Sequence, residues 1–548
     1  MKKRYFLPII LLVAIIALSF TRPAERYFEI AKNLDIFATL FKEVNALYVD
    51  EVNPNTLVRT GIDAMLTSLD PYTNYIPEDE VEDFRTINTG QYGGIGAITR
   101  EIGKRTVVTM IMEGYGAQKG GLKIGDEVLK IDDIELSKLS REQSSQLMKG
   151  QVGTPVTLTV KRAGVDKPLR LEFKREKIKV SNVPYFGLIG KDVAYIHLSD
   201  FTPDAGKEVK NALVTLKEQG AKSVILDLRG NPGGLLIEAV NICNLFLPKG
   251  KLVVSTKGKI PENNLSYETL NNPTDTEIPV TVLINRGSAS ASEIVAGTLQ
   301  DYDRAIVIGE KSYGKGLVQV SRPLSYNSQL KVTTAKYYTA SGRCIQVLDY
   351  AHRRDDGSVG SIPDSLKRAF KTSNGRTVYD GGGIEPDVKV TAEEAHPLTQ
   401  VLFEKGLLFD FATQYVNGKT QPVDARNFSL TDDEYQQFVT WMKDKDYAYK
   451  TYLEYGVQQL AEEAKKEKYY TDIKAQLDQI QKRIEESKKN ELMAHKDQIK
   501  MLLEEEIVSR YHLEKGGIET GFKYDQDIKK ATEIVHNIPQ YRKLLNLQ

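Results

Sequence analysis

Two segments, "SVILDLRG" from Ser223 and "PVTVLINRG" from Pro279, are apolar at nearly every position over the length of a strand. A strand with one face in water alternates apolar and polar residues. A near-continuous apolar run belongs to a strand covered on both faces, the usual state of a parallel strand flanked by helices. Each run passes at once into an unusual turn and then into helix-like sequence. "NPGG" precedes "LLIEAVNICNLFL", and a serine cluster precedes "SEIVAGTLQDY". "DVAYIHLSDF" and "PDAGKEVKNALVTLKEQG" add a strand and a helix before them, and "RAIVIGEKSYGKGLVQV" adds strand, glycine turn and strand after them. The pattern predicts an α/β core over residues 177–392. Strand-to-helix junctions of this kind can aim backbone N–H groups at a developing negative charge.

The second junction, "NRGSASASEIVAG", holds Ser288, Ser290 and Ser292 within five residues, and they cannot all face the same way. A serine nucleophile needs a proton acceptor. No histidine sits in a glycine-framed motif, and His197 falls inside a strand pattern, where packing explains it. Lys315 in "SYGKGLVQV" is framed by Gly314 and Gly316 between apolar segments. Desolvation disfavours an ammonium, so a partly buried lysine can serve as a neutral base. The alternative is a surface lysine with its stem on the protein and its amine in water.

Metal chemistry finds no footing. The two cysteines, Cys243 and Cys344, and the six histidines show no ligand spacing, so neither a metal nor another cofactor is expected. Lys plus Arg and Asp plus Glu balance at 74 each, which argues against a chain-wide nucleic-acid footprint.

The remaining regions have their own character. Residues 1–22 open with "MKKR" and continue with an apolar stretch from Tyr5 to Phe20, slightly short of the roughly 20 residues of a comfortable membrane span. A basic flank before a short apolar run predicts a signal peptide or signal anchor. The rest of the chain is then exported, to the periplasm or held at the inner membrane. Residues 23–88 read as helical. In residues 89–176, "TGQYGGIGAITR", "RTVVTMIM", "GAQKGGLKIGDEVLKIDDIEL" and "SREQSSQLMKGQVGTPVTLTVKR" resemble a PDZ domain. In that family a Gly-rich loop offers backbone N–H groups to a peptide's terminal carboxylate, and the peptide adds as a strand to a sheet edge. The resemblance assigns the loop to Gly94, Ile95 and Gly96. Residues 393–548 read as a helical domain. Ile473, Leu477, Ile480 and Ile484 form a two-heptad seam there, for packing within the chain or for a homo-oligomer, and "GIETGFKYDQDIKKATEIVHNI" reads as a turn and a last helix.

"DLRGNPGG", "GSASASEIVAG" and "GEKSYGKGLVQ", in that order, resemble the carboxy-terminal processing peptidases, or tail-specific proteases. "LDPYTNYIP" before the PDZ-like segment, and "YYTASGRCIQ" and "GGGIEPDV" after it, match as well, so the likeness runs over residues 30–390. It implies a multidomain α/β fold: a crotonase-like ββα protease core preceded by a PDZ domain, between helical N- and C-terminal regions. It implies an exported serine endopeptidase acting on protein or peptide substrates with free C-termini. Ser290 maps to the nucleophile, Lys315 to the general base 25 residues on, and Gln319 to the residue that orients the lysine. Ala291 and Gly233 map to the oxyanion-hole amides, with Gly234 the neighbouring choice. Residues 347–380 are an addition relative to the shortest members, read as a surface excursion or a lid. Two other classes stay in view: a catalytically silent PDZ scaffold, and an acyl-transfer enzyme on a crotonase-like core.

Overall fold

A computed structural model of the chain describes residues 6–354, 356–391, 394–419 and 424–547. It divides into two compact units, Met1–Pro77 with Ser321–Val332, and Glu78–Val320 with Thr333–Gln548. In the first unit, the opening residues 1–5 of the expected export segment lie outside the described residues. Phe6–Leu47 is one helix, and no helix among the described residues is long and apolar enough to cross a membrane. A second helix, Pro54–Thr67, starts on the side chain of Asn53, which accepts from the N–H groups of Asn55 and Thr56. The short strand Asn74–Ile76 pairs antiparallel with Gln329–Lys331.

The second unit is built on a six-stranded sheet in which the apolar runs do what their pattern requires. Val193–His197, Ser223–Asp227, Val280–Ile284 and Ile306–Gly309 lie side by side and parallel, with Tyr185–Ile189 antiparallel at one edge and Val388–Lys389 parallel at the other. Residues alternate between two cores. Ala194, Ile196, Val224, Leu226, Val282, Ile284 and Val307 face the cluster formed with helices Ala205–Glu218, Leu236–Phe246 and Ala291–Asp301. Val193, Tyr195, Ile225, Leu283, Ile306 and Ile308 face Ile528, Ala531, Ile534, Val535 and Tyr541. The C-terminal helices Gln526–His536 and Ile538–Leu544 therefore cover the second face.

The five main strands between Ala97 and Lys174 form a separate sheet, with helix Arg141–Met148 beside it and its own core around Val108, Ile131, Leu158 and Phe173. Gln91–Gly94 pairs instead with Glu176–Lys179. Leu513 of the C-terminal region packs on this core, and Arg105 bonds Asp410 at 2.7 Å, so the domain is seated on the helical region.

In that region, helices Pro397–Glu404, Leu407–Val416 and Asp432–Trp441 pack around Ile499, Leu503 and Ile507. Helix Tyr470–Lys488, which carries the Ile473–Ile484 seam, packs in the same chain against Tyr452–Lys466, with Leu477 buried and Ile480 exposed. The turn expected at "GIETG" is helical: Lys496–Gly521 runs through it, broken instead at Leu513 (φ 56°). A further helix follows the one expected to be last. Residues 347–380 form two small hairpins, Leu348–Arg353 with Val359–Ser361 and Ala369–Lys371 with Thr377–Tyr379. The second is tied down, because Arg376 pairs with Asp303 and Asp387 of the core.

Candidate active site

Three adjacent parallel strands, Ser223–Asp227, Val280–Ile284 and Ile306–Gly309, end side by side. The loops that leave their carboxyl ends are "NPGG", the serine cluster and "KSYGKG". Ligands in open α/β sheets collect at this edge, and here all three unusual motifs share it.

The serine turn is strained, and two of its three hydroxyls are committed to backbone carbonyls. Ser290 has φ 56° and ψ −112°, a conformation that L-residues rarely adopt and that its surroundings must hold. The flanking hydroxyls are structural. Ser288 Oγ donates to Leu228 O at 2.8 Å and accepts from Asn285 N at 3.0 Å, and Ser292 Oγ donates to Asn231 O at 2.9 Å. Ser288 and Ser292 are fully buried, whereas Ser290 is half-buried.

Glu293 binds the serine turn to the lysine loop. Its Oε2 accepts from the backbone N–H groups of Ser290 and Lys315, both at 2.9 Å. Its Oε1 accepts from Ser312 Oγ at 2.5 Å and Gly314 N at 2.7 Å. The side chain is fully buried. Burial pushes its carboxyl up to about 7, against the opposing pull of these four donors. A second clamp lies opposite: the Tyr337 hydroxyl reaches Ser290 O at 3.2 Å and also donates to Lys315 O. Gln346 Oε1 accepts from Gly316 N at 2.7 Å, fixing the far side of the lysine.

Gly233 presses on the same turn. At φ 93°, a Cβ placed on it would lie 2.6 Å from Ala289 O and 2.8 Å from both Ala291 N and Ser290 Cβ. Only glycine allows this approach. Its N–H, however, donates to Asn231 Oδ1 at 2.9 Å, an Asx turn within "NPGG". That bond engages the Gly233 amide, the one expected to face an oxyanion, within its own turn. The N–H groups of Gly234 and Ala291 have no acceptor among the described residues. Gly234 is itself fixed from behind: it bridges to Phe201, whose carbonyl accepts from Leu235 N at 2.8 Å.

Gln319 does not join this cluster through its amide nitrogen, which donates to Thr333 Oγ1 at 3.1 Å across the hairpin. Gly94, Ile95 and Gly96 lie elsewhere: Gly94 and Ile95 line a cavity of about 520 Å3 whose walls include Met112 and Met148, and Gly96 follows them in the chain. Gly94 ends a strand ladder, and the N–H groups of Ile95 and Gly96 have no acceptor among the described residues.

Sequence reading missed Glu293, Tyr337 and Asn231. For Glu293 a signal existed: "SASE" is the spacing of a helix capping box. It also missed the buried ionic support behind "NPGG". Asp227 is fully buried, yet Arg229 outweighs the cost of burial and holds its carboxyl below the usual range. Arg229 continues to Asp525 at 2.7 Å and Asp527 at 2.8 Å on the C-terminal helices.

The arrangement has known counterparts. The model of peptidase family S41 matches residues 192–350, that of the PDZ domain residues 93–173, and that of a probable PDZ-protease C-terminal helical domain residues 398–535. The chain is 40% identical over 320 residues to a carboxy-terminal-processing protease of Bartonella bacilliformis, covering 58% of this chain and 73% of that one. It is 31% identical over 406 residues to a probable CtpA-like serine protease of Staphylococcus haemolyticus, covering 74% of each. Among solved structures it is similar to a photosystem II D1 C-terminal processing protease, at 24% identity and a TM-score of 0.35, over 65% of this chain and 92% of that one. With relatives above 30% identity matched over more than two thirds of their length, the chain belongs to the carboxy-terminal processing proteases of peptidase family S41, in a form that carries a PDZ domain and a C-terminal helical domain.

Proposed function

We propose that this serine endopeptidase cuts proteins held by their free C-termini, with Ser290 as nucleophile and Lys315 as general base on a crotonase-like core. The observation that carries the reading is the double clamp. Glu293 and Tyr337 each hold the backbones of residues 290 and 315 at once, and of the three serines only Ser290 has a hydroxyl that donates to no backbone carbonyl among the described residues.

In the reaction, the neutral Lys315 amine takes the Ser290 proton as Oγ attacks the scissile carbonyl carbon. The oxyanion accepts from Ala291 N–H and, with the Gly233 amide engaged, from Gly234 N–H. The lysine then returns its proton to the leaving amine as the C–N bond breaks. Water, deprotonated by the same lysine, hydrolyses the ester and releases Ser290. Loss of one oxyanion donor in such sites costs roughly 10²–10³ in turnover.

Substrate selection is assigned to the cavity beside Gly94–Gly96. Its free amides suit a terminal carboxylate, and Met112 and Met148 suit an apolar terminal side chain. The cavity is also lined by Asp200 and Thr202, and the residue between them, Phe201, bridges to Gly234. A bound tail thus touches the segment that backs the oxyanion turn, which favours activation on binding over simple tethering. We further propose that residues 1–22 export the chain to the periplasm, either released there or kept at the inner membrane. Cell fractionation of the full chain against one lacking these residues tests that.

The test of function is cleavage of an unfolded protein ending in a free apolar residue, beside the same protein with an amidated C-terminus. Amidation should slow cleavage through a raised KM. Equal cleavage of both would remove the carboxylate from the account, and no cleavage of either would favour a silent PDZ scaffold.

A further inference from the structure

The peptide cavity is not built by the PDZ domain alone. Asp200 lies in the loop that follows strand Val193–His197, within the segment matched to the peptidase family, and it forms part of the cavity wall. The wall is otherwise mainly apolar or neutral, and its charged residues are Lys149 and Asp200. They are not equivalent. Lys149 has an anionic partner, its ammonium lying 3.1 Å from Asp83 in an exposed ion pair. No cation lies within ion-pair distance of Asp200 among the described residues, although the side chain is half-buried and burial raises its pKa above the ordinary value. Its backbone position is fixed on both sides. Ser199 N donates to Asn182 O at 2.9 Å, and Thr202 gives both its N–H and its hydroxyl to Asn182 Oδ1 at 2.8 and 2.9 Å. The carboxylate is therefore held at the wall with the neighbouring Ser199 hydroxyl as a hydrogen-bond partner but with no cation paired to it among the described residues.

A half-buried carboxylate without a counter-charge gains from a cation delivered by the ligand and repels an anion, more strongly than it would in open water. We propose that Asp200 is a specificity-determining residue, supplied to the peptide cavity by the protease domain, which selects tails carrying lysine or arginine a few positions before an apolar C-terminal residue. This deepens the C-terminus-binding reading given above and rests on it. It narrows the substrate class from apolar tails in general to tails with a basic residue near the end, and it disfavours acidic ones.

The experiment uses the full chain with Ser290→Ala, so that peptides stay intact. Fluorescent ten-residue peptides share one apolar C-terminal residue and differ at a single upstream position, scanned over the last five residues, as lysine, glutamine or glutamate. At the position facing Asp200, binding by anisotropy should rank lysine, glutamine, glutamate, with about a tenfold span or more from first to last. Adding Asp200→Asn should flatten that ranking, with circular dichroism and thermal melting of the variant as the control for folding. Asp200→Lys should reverse it. A ranking that survives Asp200→Asn, or no charge preference at any scanned position, would overturn the assignment. Amidated copies of the peptides test the underlying reading separately. Loss of binding on amidation supports the carboxylate site whatever the charge ranking, and binding indifferent to amidation refutes that site even where the charge ranking holds.

Discussion

Replacing Glu293 by glutamine changes one atom in the clamp, and the structure says which of two orientations the new amide takes. With its NH2 on the Oε2 side, it would oppose the N–H groups of Ser290 and Lys315. With its NH2 on the Oε1 side, it meets Gly314 N–H and Ser312 Oγ, and the hydroxyl can turn to accept. The second orientation leaves one buried N–H, that of Gly314, without an acceptor, a cost of about 1–3 kcal/mol. It preserves the bonds to Ser290 and Lys315, so activity should fall by no more than about tenfold. Glu293→Ala strands all four donors and should abolish activity. The pH dependence follows from the carboxyl held at about 7 rather than the ordinary 4.5. A group with a raised folded pKa gives the native state extra protons between those values, so its contribution to stability is full below about 4.5 and is lost as pH rises through about 7. Glutamine has no such term. The destabilisation caused by Glu293→Gln should thus be larger at pH 5 than at pH 8, by about 2–3 kcal/mol. Urea denaturation at both pH values, in a Ser290→Ala background to prevent self-digestion, measures it. A destabilisation that is equal at the two pH values, or larger at pH 8, would refute the reasoning.

Lys315→Arg should be inactive in the protein-cleavage assay with folding intact, because a guanidinium cannot shed its proton at working pH. Gly233→Ala should lose at least a hundredfold in kcat, since its Cβ would stand 2.6 Å from Ala289 O and 2.8 Å from Ser290 Cβ at φ 93°. A crystal structure of that variant should show the serine turn displaced. Arg229→Met leaves Asp227 buried without its counter-charge and cuts the tie to Asp525 and Asp527. It should cost about 3–5 kcal/mol in denaturant unfolding, and Arg229→Met with Asp227→Leu should recover much of that.

What was legible in the sequence was whatever repeats locally. Ser223–Asp227 and Val280–Ile284 announced a sheet covered on both faces because every second residue must be apolar for each cover. Nothing in those strands says what the second cover is. That Ile528, Ile534 and Tyr541 supply it is a contact across some 250 residues, carried by the period of a helix that fits many other faces. In the site, the junction motifs pointed to Ser290 and Lys315 through residue type and glycine framing. Glu293 was readable as a helix cap, but its second set of bonds, to Gly314 and Lys315, exists only once two loops meet. Tyr337 lies mid-strand in "AKYYTA", where its ring reads as packing and its hydroxyl is silent. The state of the Gly233 amide was readable only in part: Asn231 precedes it by two residues, the spacing of an Asx turn, and accepts its N–H.

Covalent labelling of the nucleophile tests the central claim most directly. The full chain is treated with a serine-reactive fluorophosphonate, and the adduct is located by intact mass and peptide mapping. The account predicts one adduct, on Ser290, formed in step with loss of proteolysis, absent from Ser290→Ala and strongly slowed in Lys315→Ala. An adduct on Ser288 or Ser292, or proteolysis that persists in Ser290→Ala, would contradict it.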